Sequence, residues 1–230
     1  MSEKSEAQKP PQRVICYVDG FNLYYGLRDS NLRRFLWLDL HELARRLVLP
    51  NQVVTATKYF TARITGGRYN DPPAIFDERN AKRKRQSDYL DALQAHAPAL
   101  AIYEGHFLAK EIVCNNCNGS WGSAEEKMTD VNIATELLVD AFANRFDTAL
   151  IVSGDSDLVP PIRAVRNCFP HKRVIVAFPP SRASVDLRNA AHGQFVVSKG
   201  QLKKSQLPLK VVTQAGVVLE CPPSWMAKAP

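Results

Sequence analysis

The sequence predicts an α/β fold with a mostly parallel central sheet that is covered by helices on both faces. Apolar runs of strand length alternate along the chain with stretches of helical periodicity. Such alternation implies right-handed crossovers between parallel strands. The chain has 230 residues, 45% of them hydrophobic, which is enough for one domain of this kind with a small appendage.

The first elements can be justified one by one. Residues 14–18 are a short apolar run that ends at Asp19-Gly20, as expected of a buried strand followed by a turn. Residues 53–64 are rich in β-branched and aromatic side chains, which favours a strand. The other predicted elements are helices at about 23–28, 40–48, 74–97, 130–144, 158–167 and 184–190, and strands at 100–108, 148–153, 173–178 and 194–198.

The ends of the chain and one internal segment fall outside this pattern. Residues 1–12 are polar and charged, which indicates a short disordered leader and not a signal peptide. The predicted domain spans 13–200 and holds an irregular, Cys-containing insertion at 109–128; residues 201–230 are a C-terminal extension that docks against the body. No apolar run approaches the roughly 20 residues that span a bilayer. We therefore expect a cytoplasmic protein with no membrane contact.

Charge and cysteine content narrow the class of partner and of fold. The net charge of +7 favours a polyanionic partner, although many basic proteins bind no nucleic acid. The five cysteines are an odd number, which argues against a disulfide framework. No Gly-x-Gly-x-x-Gly or Walker loop is present, and this disfavours a nucleotide-binding or phosphatase function.

Acidic residues follow two predicted strands and begin one predicted helix. Asp19 follows the first strand, Asp155 and Asp157 follow the strand at 148–153, and Asp130 begins a helix. Ligand sites in open α/β sheets gather at the carboxyl ends of strands. Each motif alone is also explained as a turn, a loop or a helix cap. If the carboxylates converge, their repulsion favours Mg²⁺ or Mn²⁺, which can assist phosphodiester cleavage.

Three segments carry a family resemblance: YVDGFNL at 17–23, EKMTDV at 126–131 and SGDSDL at 153–158. In this order they resemble the bacterial NYN domain, a branch of the PIN-like nuclease superfamily, over about 13–200. The resemblance implies a three-layer αβα sandwich. It also implies that the chain is a Mg²⁺- or Mn²⁺-dependent endoribonuclease acting on single-stranded or structured RNA. Some relatives bind RNA without cutting it, so a non-catalytic RNA-binding or regulatory module is the alternative.

The resemblance also implies roles for individual residues. The acidic positions that would bind metal and act in catalysis are Asp19, Asp130, Asp155 and Asp157. Asn22 would help to hold metal, water or substrate. Ser153 matches a small hydroxyl residue beside the second acidic pair and is a candidate substrate contact. The middle motif commonly has glycine where this chain has Met128-Thr129.

The cysteine pair allows several interpretations. Cys114 and Cys117 have the CxxC spacing of half a tetrahedral zinc site, and His106 is a nearby candidate for a further ligand. A zinc site shared across a homodimer, a free reduced pair and a redox pair are the alternatives.

Basic and aromatic residues are the candidate RNA contacts. Arg182 and Arg188 follow the strand that ends at Phe178, on the expected active-site edge, and we predict that they contact phosphates. The basic turn at 82–85 is equally explained as a solvated helix face. Tyr24, Tyr25 and Trp121 could stack on bases, although core packing explains Tyr24 and Tyr25 as well.

Overall fold

The computed structural model describes residues 10–67, 71–117 and 119–226, and the predicted leader falls largely outside these ranges. The strands of its main sheet are β1 (Gln12–Asp19), β2 (Gln52–Ala62), β3 (Leu100–Val113), β4 (Ser120–Lys127), β5 (Thr148–Val152), β6 (Arg173–Phe178) and β7 (Gly193–Val196). The helices are α1 (Gly20–Asp29), α2 (Leu40–Leu47), α3 (Pro73–His96), α4 (Thr129–Phe142), α5 (Val159–Cys168), α6 (Val185–Ala190) and α7 (Lys199–Lys204).

The central sheet of the described residues has seven strands in the order β4-β3-β2-β1-β5-β6-β7. All neighbouring pairs are parallel except β3 and β4, which are antiparallel. The predicted mostly parallel sheet is therefore confirmed. Strand β1 lies at its centre, and the register pairs Val18 with Val152 of β5. This register brings Asp19, the last residue of β1, and Ser153, the residue after β5, to the same edge.

Helices cover both faces of the sheet, as the alternating side chains of β1 show. Val14 and Val18 belong to one buried core, together with α1, α2 and α3. Ile15 and Tyr17 belong to a second core, together with α4, α5 and α6. A strand buried on both faces reads as a continuous apolar run, which is how β1 reads in the sequence. The three-layer αβα arrangement is confirmed.

The prediction of an irregular insertion at 109–128 is wrong. Strand β3 continues to Val113 and pairs with β4 in a regular hairpin, from His106 opposite Lys127 to Val113 opposite Ser120. Several hairpin side chains, such as Leu108 and Val113, are exposed. Because this ribbon buries little, its sequence lacks the hydrophobic alternation that identifies a strand.

The C-terminal extension, as far as residue 226, is joined to the main core. Beyond α7 it forms a small antiparallel pair, β8 (Lys210–Val212) and β9 (Val218–Glu220). Leu202, Leu207 and Leu219 are buried in the same core as α1, α2 and α3. Among the described residues, no helix combines the length and the apolar character needed to cross a membrane.

Candidate metal centre

Asp19 ends β1 and caps α1, and its carboxylate is held on several sides. Oδ1 accepts a hydrogen bond from the backbone N–H of Asn22 at 2.9 Å, and Oδ2 accepts from Asn22 Nδ2 at 2.7 Å. The hydroxyl of Ser153 donates to Oδ2 at 2.7 Å. Asp19 is 2% exposed. Burial raises the pKa of Asp19, and these hydrogen bonds oppose the rise.

The loop after β5 fixes the second acid. The backbone N–H of Asp155 donates to Ser153 Oγ at 3.0 Å, so the same hydroxyl joins Asp155 to Asp19. The side chain of Asp155 in turn accepts from the backbone N–H of Asp157 at 3.0 Å and caps a 3-10 turn. Gly154 is required here, because a Cβ at this position would lie 2.5 Å from the carbonyl oxygen of Arg182.

The third acid, Asp130, lies in the first turn of α4. Met128 precedes this helix with φ of +80° and ψ of −11°, a left-handed conformation that favours glycine. A glycine in this segment, as expected for the common form of the middle motif at Met128-Thr129, would adopt this conformation without strain. Glu126 accepts hydrogen bonds from the backbone N–H and the hydroxyl of Thr129, which fixes the start of the helix. The unusual residue at 128 therefore keeps the glycine-like backbone.

Three carboxylates converge at this edge of the sheet. Asp19, Asp130 and Asp155 each offer an oxygen, and these oxygens lie within 4.8 Å of one another. Burial, followed by the charges of Asp19 and Asp155, raises the pKa of Asp130 from 3.8 to about 7. Glu126 and Asp157 contribute further repulsion. Such a set of hard oxygen donors fits a divalent cation such as Mg²⁺ or Mn²⁺, which would remove the repulsion.

The structure separates Asp157 from the three converging acids. Asp157 is exposed at the rim, where its charge acts on Asp130, and it lies outside the group with oxygens within 4.8 Å. Asn22 lies within the site, since its Oδ1 also accepts from the backbone N–H of Gly154 at 3.3 Å. Glu126 belongs to the same electrostatic cluster, although we did not expect it from the sequence. Its position four residues before Asp130 is the feature of the sequence that could have indicated this role.

Arg182 and Arg188, the predicted phosphate contacts, have different surroundings near this edge. The guanidinium of Arg182 pairs with Asp29 of α1, and its Nε is buried with no hydrogen-bond partner among the described residues. The backbone of Arg182 packs against Gly154, which places it beside the acidic loop. Arg188 lies in the last turn of α6 with an exposed side chain. Their contact with RNA stays a prediction.

The zinc set of Cys114, Cys117 and His106 is wrong as a single site. His106 lies at the base of the hairpin and Cys114 at its far end, separated by eight residues of extended strand, or roughly 25 Å. Zinc ligands lie about 2.0–2.3 Å from the ion, so these two cannot share one. Cys114 and Cys117 do lie together in the turn. Hydrogen bonds from the backbone N–H groups of Asn116 and Cys117 lower the pKa of the Cys114 thiol.

A cavity of about 290 Å³ adjoins the acidic edge. It begins at Gly20 and Phe21, the residues that directly follow Asp19, and reaches α3 and the C-terminal segment. Its lining also includes the aromatic residues Tyr24, Tyr25, Tyr59, Tyr89, Phe107 and Trp225. Among the predicted stacking residues, Tyr24 and Tyr25 lie here, whereas the side chain of Trp121 lies outside the described residues.

Comparison with known proteins identifies the family to which this fold and these three acidic segments belong. The sequence model of the NYN domain matches residues 13–199. The chain belongs to the NYN domain family. The resemblance drawn from the three motifs is thereby confirmed, and the family indicates a PIN-like nuclease fold.

Two individual proteins resemble this NYN chain. It is 27% identical to 6-hydroxy-3-succinoylpyridine 3-monooxygenase HspA of Pseudomonas putida, over 94% of this chain and 76% of HspA. A crystal structure of a protein of unknown function from Vibrio parahaemolyticus superposes with a TM-score of 0.50 at 17% identity, and covers 89% of this chain and 100% of that one. At this identity the second likeness speaks for the fold alone.

Proposed function

We propose that this NYN protein is a metal-dependent endoribonuclease. The observation that carries the proposal is the convergence of Asp19, Asp130 and Asp155, whose carboxylate oxygens lie within 4.8 Å of one another. A pure phosphate-binding module would gain nothing from clustered negative charge at its ligand site. The clustering is accounted for if these residues hold Mg²⁺ or Mn²⁺.

Each residue then has a part in cleavage. A bound divalent cation would supply positive charge against the negative charge that develops on phosphorus. Ser153 and Asn22 hold the Asp19 carboxylate in one orientation. We assign to Asp157, which is exposed beside the triad, the role of accepting a proton from the water that attacks phosphorus; the P–O bond to the leaving ribose oxygen breaks, and that oxygen takes a proton from solvent.

The RNA substrate is inferred from the family and supported by charge. The net charge of +7 favours a polyanion. The proposal includes phosphate contacts from Arg182 and Arg188 on the elements that follow β6, in addition to the metal site.

Labelled RNAs test this function directly. Purified protein is incubated with single-stranded and hairpin RNAs in Mg²⁺, in Mn²⁺ and in EDTA, beside the variants Asp155→Asn and Asp77→Asn. Asp77 is an exposed acid on α3 and serves as the matched control. We expect cleavage that needs the metal, is lost in Asp155→Asn and is kept in Asp77→Asn. Cleavage that survives EDTA and Asp155→Asn contradicts the proposal. Absence of cleavage on every RNA favours the binding module.

A second candidate function comes from the HspA likeness. That protein is named a monooxygenase of a substituted pyridine, and the 290 Å³ aromatic cavity beside the triad is of a size for one small ring compound. The test is oxygen uptake with 6-hydroxy-3-succinoylpyridine and an added electron donor. Substrate-dependent uptake, together with no cleavage of RNA, would favour this candidate over the nuclease.

A further inference from the structure

The aromatic cavity lies at the same edge of the sheet as the acidic triad, on the face covered by α1 and α3. It is lined by Gly20 and Phe21 after β1, and by Thr61 near the end of β2. Asp19 directly precedes Gly20 in the chain, so the lining of the cavity begins one residue from the triad, whose three acids are not themselves among the lining residues. The cavity volume of about 290 Å³ lies near the lower end of the roughly 300–1,000 Å³ typical of small-ligand pockets.

The walls of the cavity suit a flat ring. Phe21 of α1 and Phe107 of β3 meet edge to face with ring centroids 5.9 Å apart. Trp225 and Tyr89 meet in the same manner on another side, also at 5.9 Å. Tyr24 lines the cavity with 39% of its surface exposed. Aromatic side chains of this kind stack on nucleobases with little dependence on sequence.

Positive charge surrounds the aromatic walls. Arg28, Lys82 and Arg85 line the cavity; Arg28 pairs with Asp29 at 3.0 Å, and Lys82 pairs with Glu78 at a longer 3.6 Å. Helix α3 continues this charge with Arg83, whereas Lys84 is paired with Asp88 at 2.6 Å. One carboxylate on a small ligand would need a single cation. Several cations in series match the successive phosphates of a strand.

We propose that this cavity is a base-binding subsite, which takes one unpaired nucleobase of the RNA strand near the phosphate that a divalent cation at the acidic triad would bind. Phe107 and Tyr24 stack on the base, while Arg85 and Lys82 contact the adjoining phosphates. This inference rests on the proposed function for the identity of the strand. It adds a preference for single-stranded RNA, because a paired base cannot enter the cavity.

Binding without cleavage tests the subsite. Fluorescence anisotropy in EDTA measures the Kd of a short labelled single-stranded oligoribonucleotide, and of the same strand with one abasic nucleotide placed at successive positions. The variants are Phe107→Ala, Tyr24→Ala and Arg85→Ala. The matched controls are Phe142→Ala, an exposed ring at the end of α4, and Arg173→Ala, at the opposite edge of the sheet where β6 begins.

We expect one abasic position to weaken binding to the wild type by about 10-fold, in line with the roughly 1–3 kcal/mol of a stacked base. Phe107→Ala should weaken binding of the intact strand similarly and should no longer distinguish it from the abasic strand. Tyr24→Ala, at an exposed position, gives the same test without a demand on folding. Arg85→Ala should weaken both strands and reduce the salt dependence of Kd. The controls should bind as the wild type does.

Several outcomes would contradict the proposed subsite, and they can be distinguished from outcomes that contradict the nuclease proposal. Equal binding of intact and abasic strands by the wild type, or an unchanged abasic effect in Phe107→Ala and Tyr24→Ala, contradicts it. Displacement of RNA by benzoate with the abasic effect absent would assign the cavity to a free aromatic acid. If RNA binding depends on the cavity but no RNA is cut, the subsite stands and the nuclease proposal falls. If RNA is cut with no dependence on the cavity, the reverse holds.

Discussion

Asp130→Asn should stabilise the metal-free protein, although it removes a proposed metal ligand. Burial and the neighbouring charges of Asp19 and Asp155 raise the pKa of Asp130 from 3.8 to about 7. The unfolded chain releases this proton near 3.8, whereas the folded chain keeps it up to about 7. Below pH 3.8 the Asp130 carboxyl is protonated in both states and costs the folded protein no stability. As the pH rises to about 7 the folded state loses stability relative to the unfolded chain, and above pH 7 the full loss remains.

The magnitude follows from the size of this change. A rise in pKa from 3.8 to about 7 corresponds to about 4 kcal/mol before any allowance for solvent screening, since one pKa unit is worth about 1.36 kcal/mol. Asp130 is half-buried, and solvent screens part of the repulsion, so we expect a gain of about 1–2 kcal/mol. In a domain of this size this raises Tm by roughly 2–8 °C above pH 7.

Thermal melts followed by differential scanning fluorimetry in EDTA measure this effect between about pH 4 and pH 8. The gain in Tm of Asp130→Asn should be small at the acid end and should grow until about pH 7. Asp77→Asn, an exposed acid on α3, is the control. Added Mn²⁺ should then raise Tm of the wild type and leave the variant unchanged. A variant that is less stable than the wild type at pH 8 in EDTA, or a gain independent of pH, would refute the reasoning.

Three further substitutions probe the supports of the site. Met128→Gly should raise the free energy of unfolding by about 1 kcal/mol in a denaturant titration, because it relieves the φ of +80°; a loss would contradict this. Lys58→Met should cost about 1–3 kcal/mol in the same titration, because Asp140, which is fully buried, loses its 2.6 Å ammonium partner but keeps the guanidinium of Arg145 at 3.0 Å and the hydroxyl of Tyr17 at 2.6 Å; no measurable loss would show that the pair is dispensable. Ser153→Ala should weaken Mn²⁺ binding by about 10–100-fold in calorimetry, since the hydroxyl orients Asp19, and unchanged affinity would exclude that role.

Elements buried on both faces were predictable from the sequence. Strand β1 and strand β5 are continuous apolar runs, and both occur within two residues of the predicted bounds. The carboxyl ends of parallel strands lie at the same edge of a sheet, so the sequence alone placed Asp19 and Asp155 at one edge. Their convergence with Asp130 could not be predicted from the sequence, because it depends on how the chain packs in three dimensions.

What the sequence could not show depends on contacts between distant segments. Strand β4 is held by pairing with β3 and not by a buried face, so no periodic signal marks it. His106 is close to Cys114 in the sequence, but an extended strand converts that short separation into a long distance. The cavity joins Phe21, Phe107 and Trp225, which lie far apart in the chain, and neither spacing nor composition relates them.

The position of Trp225 has a consequence for how members of this family are compared and trimmed. The family match ends at residue 199, yet Trp225 packs against Trp37 and Tyr89 and forms part of the cavity beside the acids. Two relatives that align well over the matched stretch can therefore differ in their ligand through residues outside it. A deletion placed at the family boundary would remove Trp225 from the wall of the cavity and would also remove the buried Leu202 and Leu219 from the core that they share with α1, α2 and α3, so the matched stretch is shorter than the folded unit.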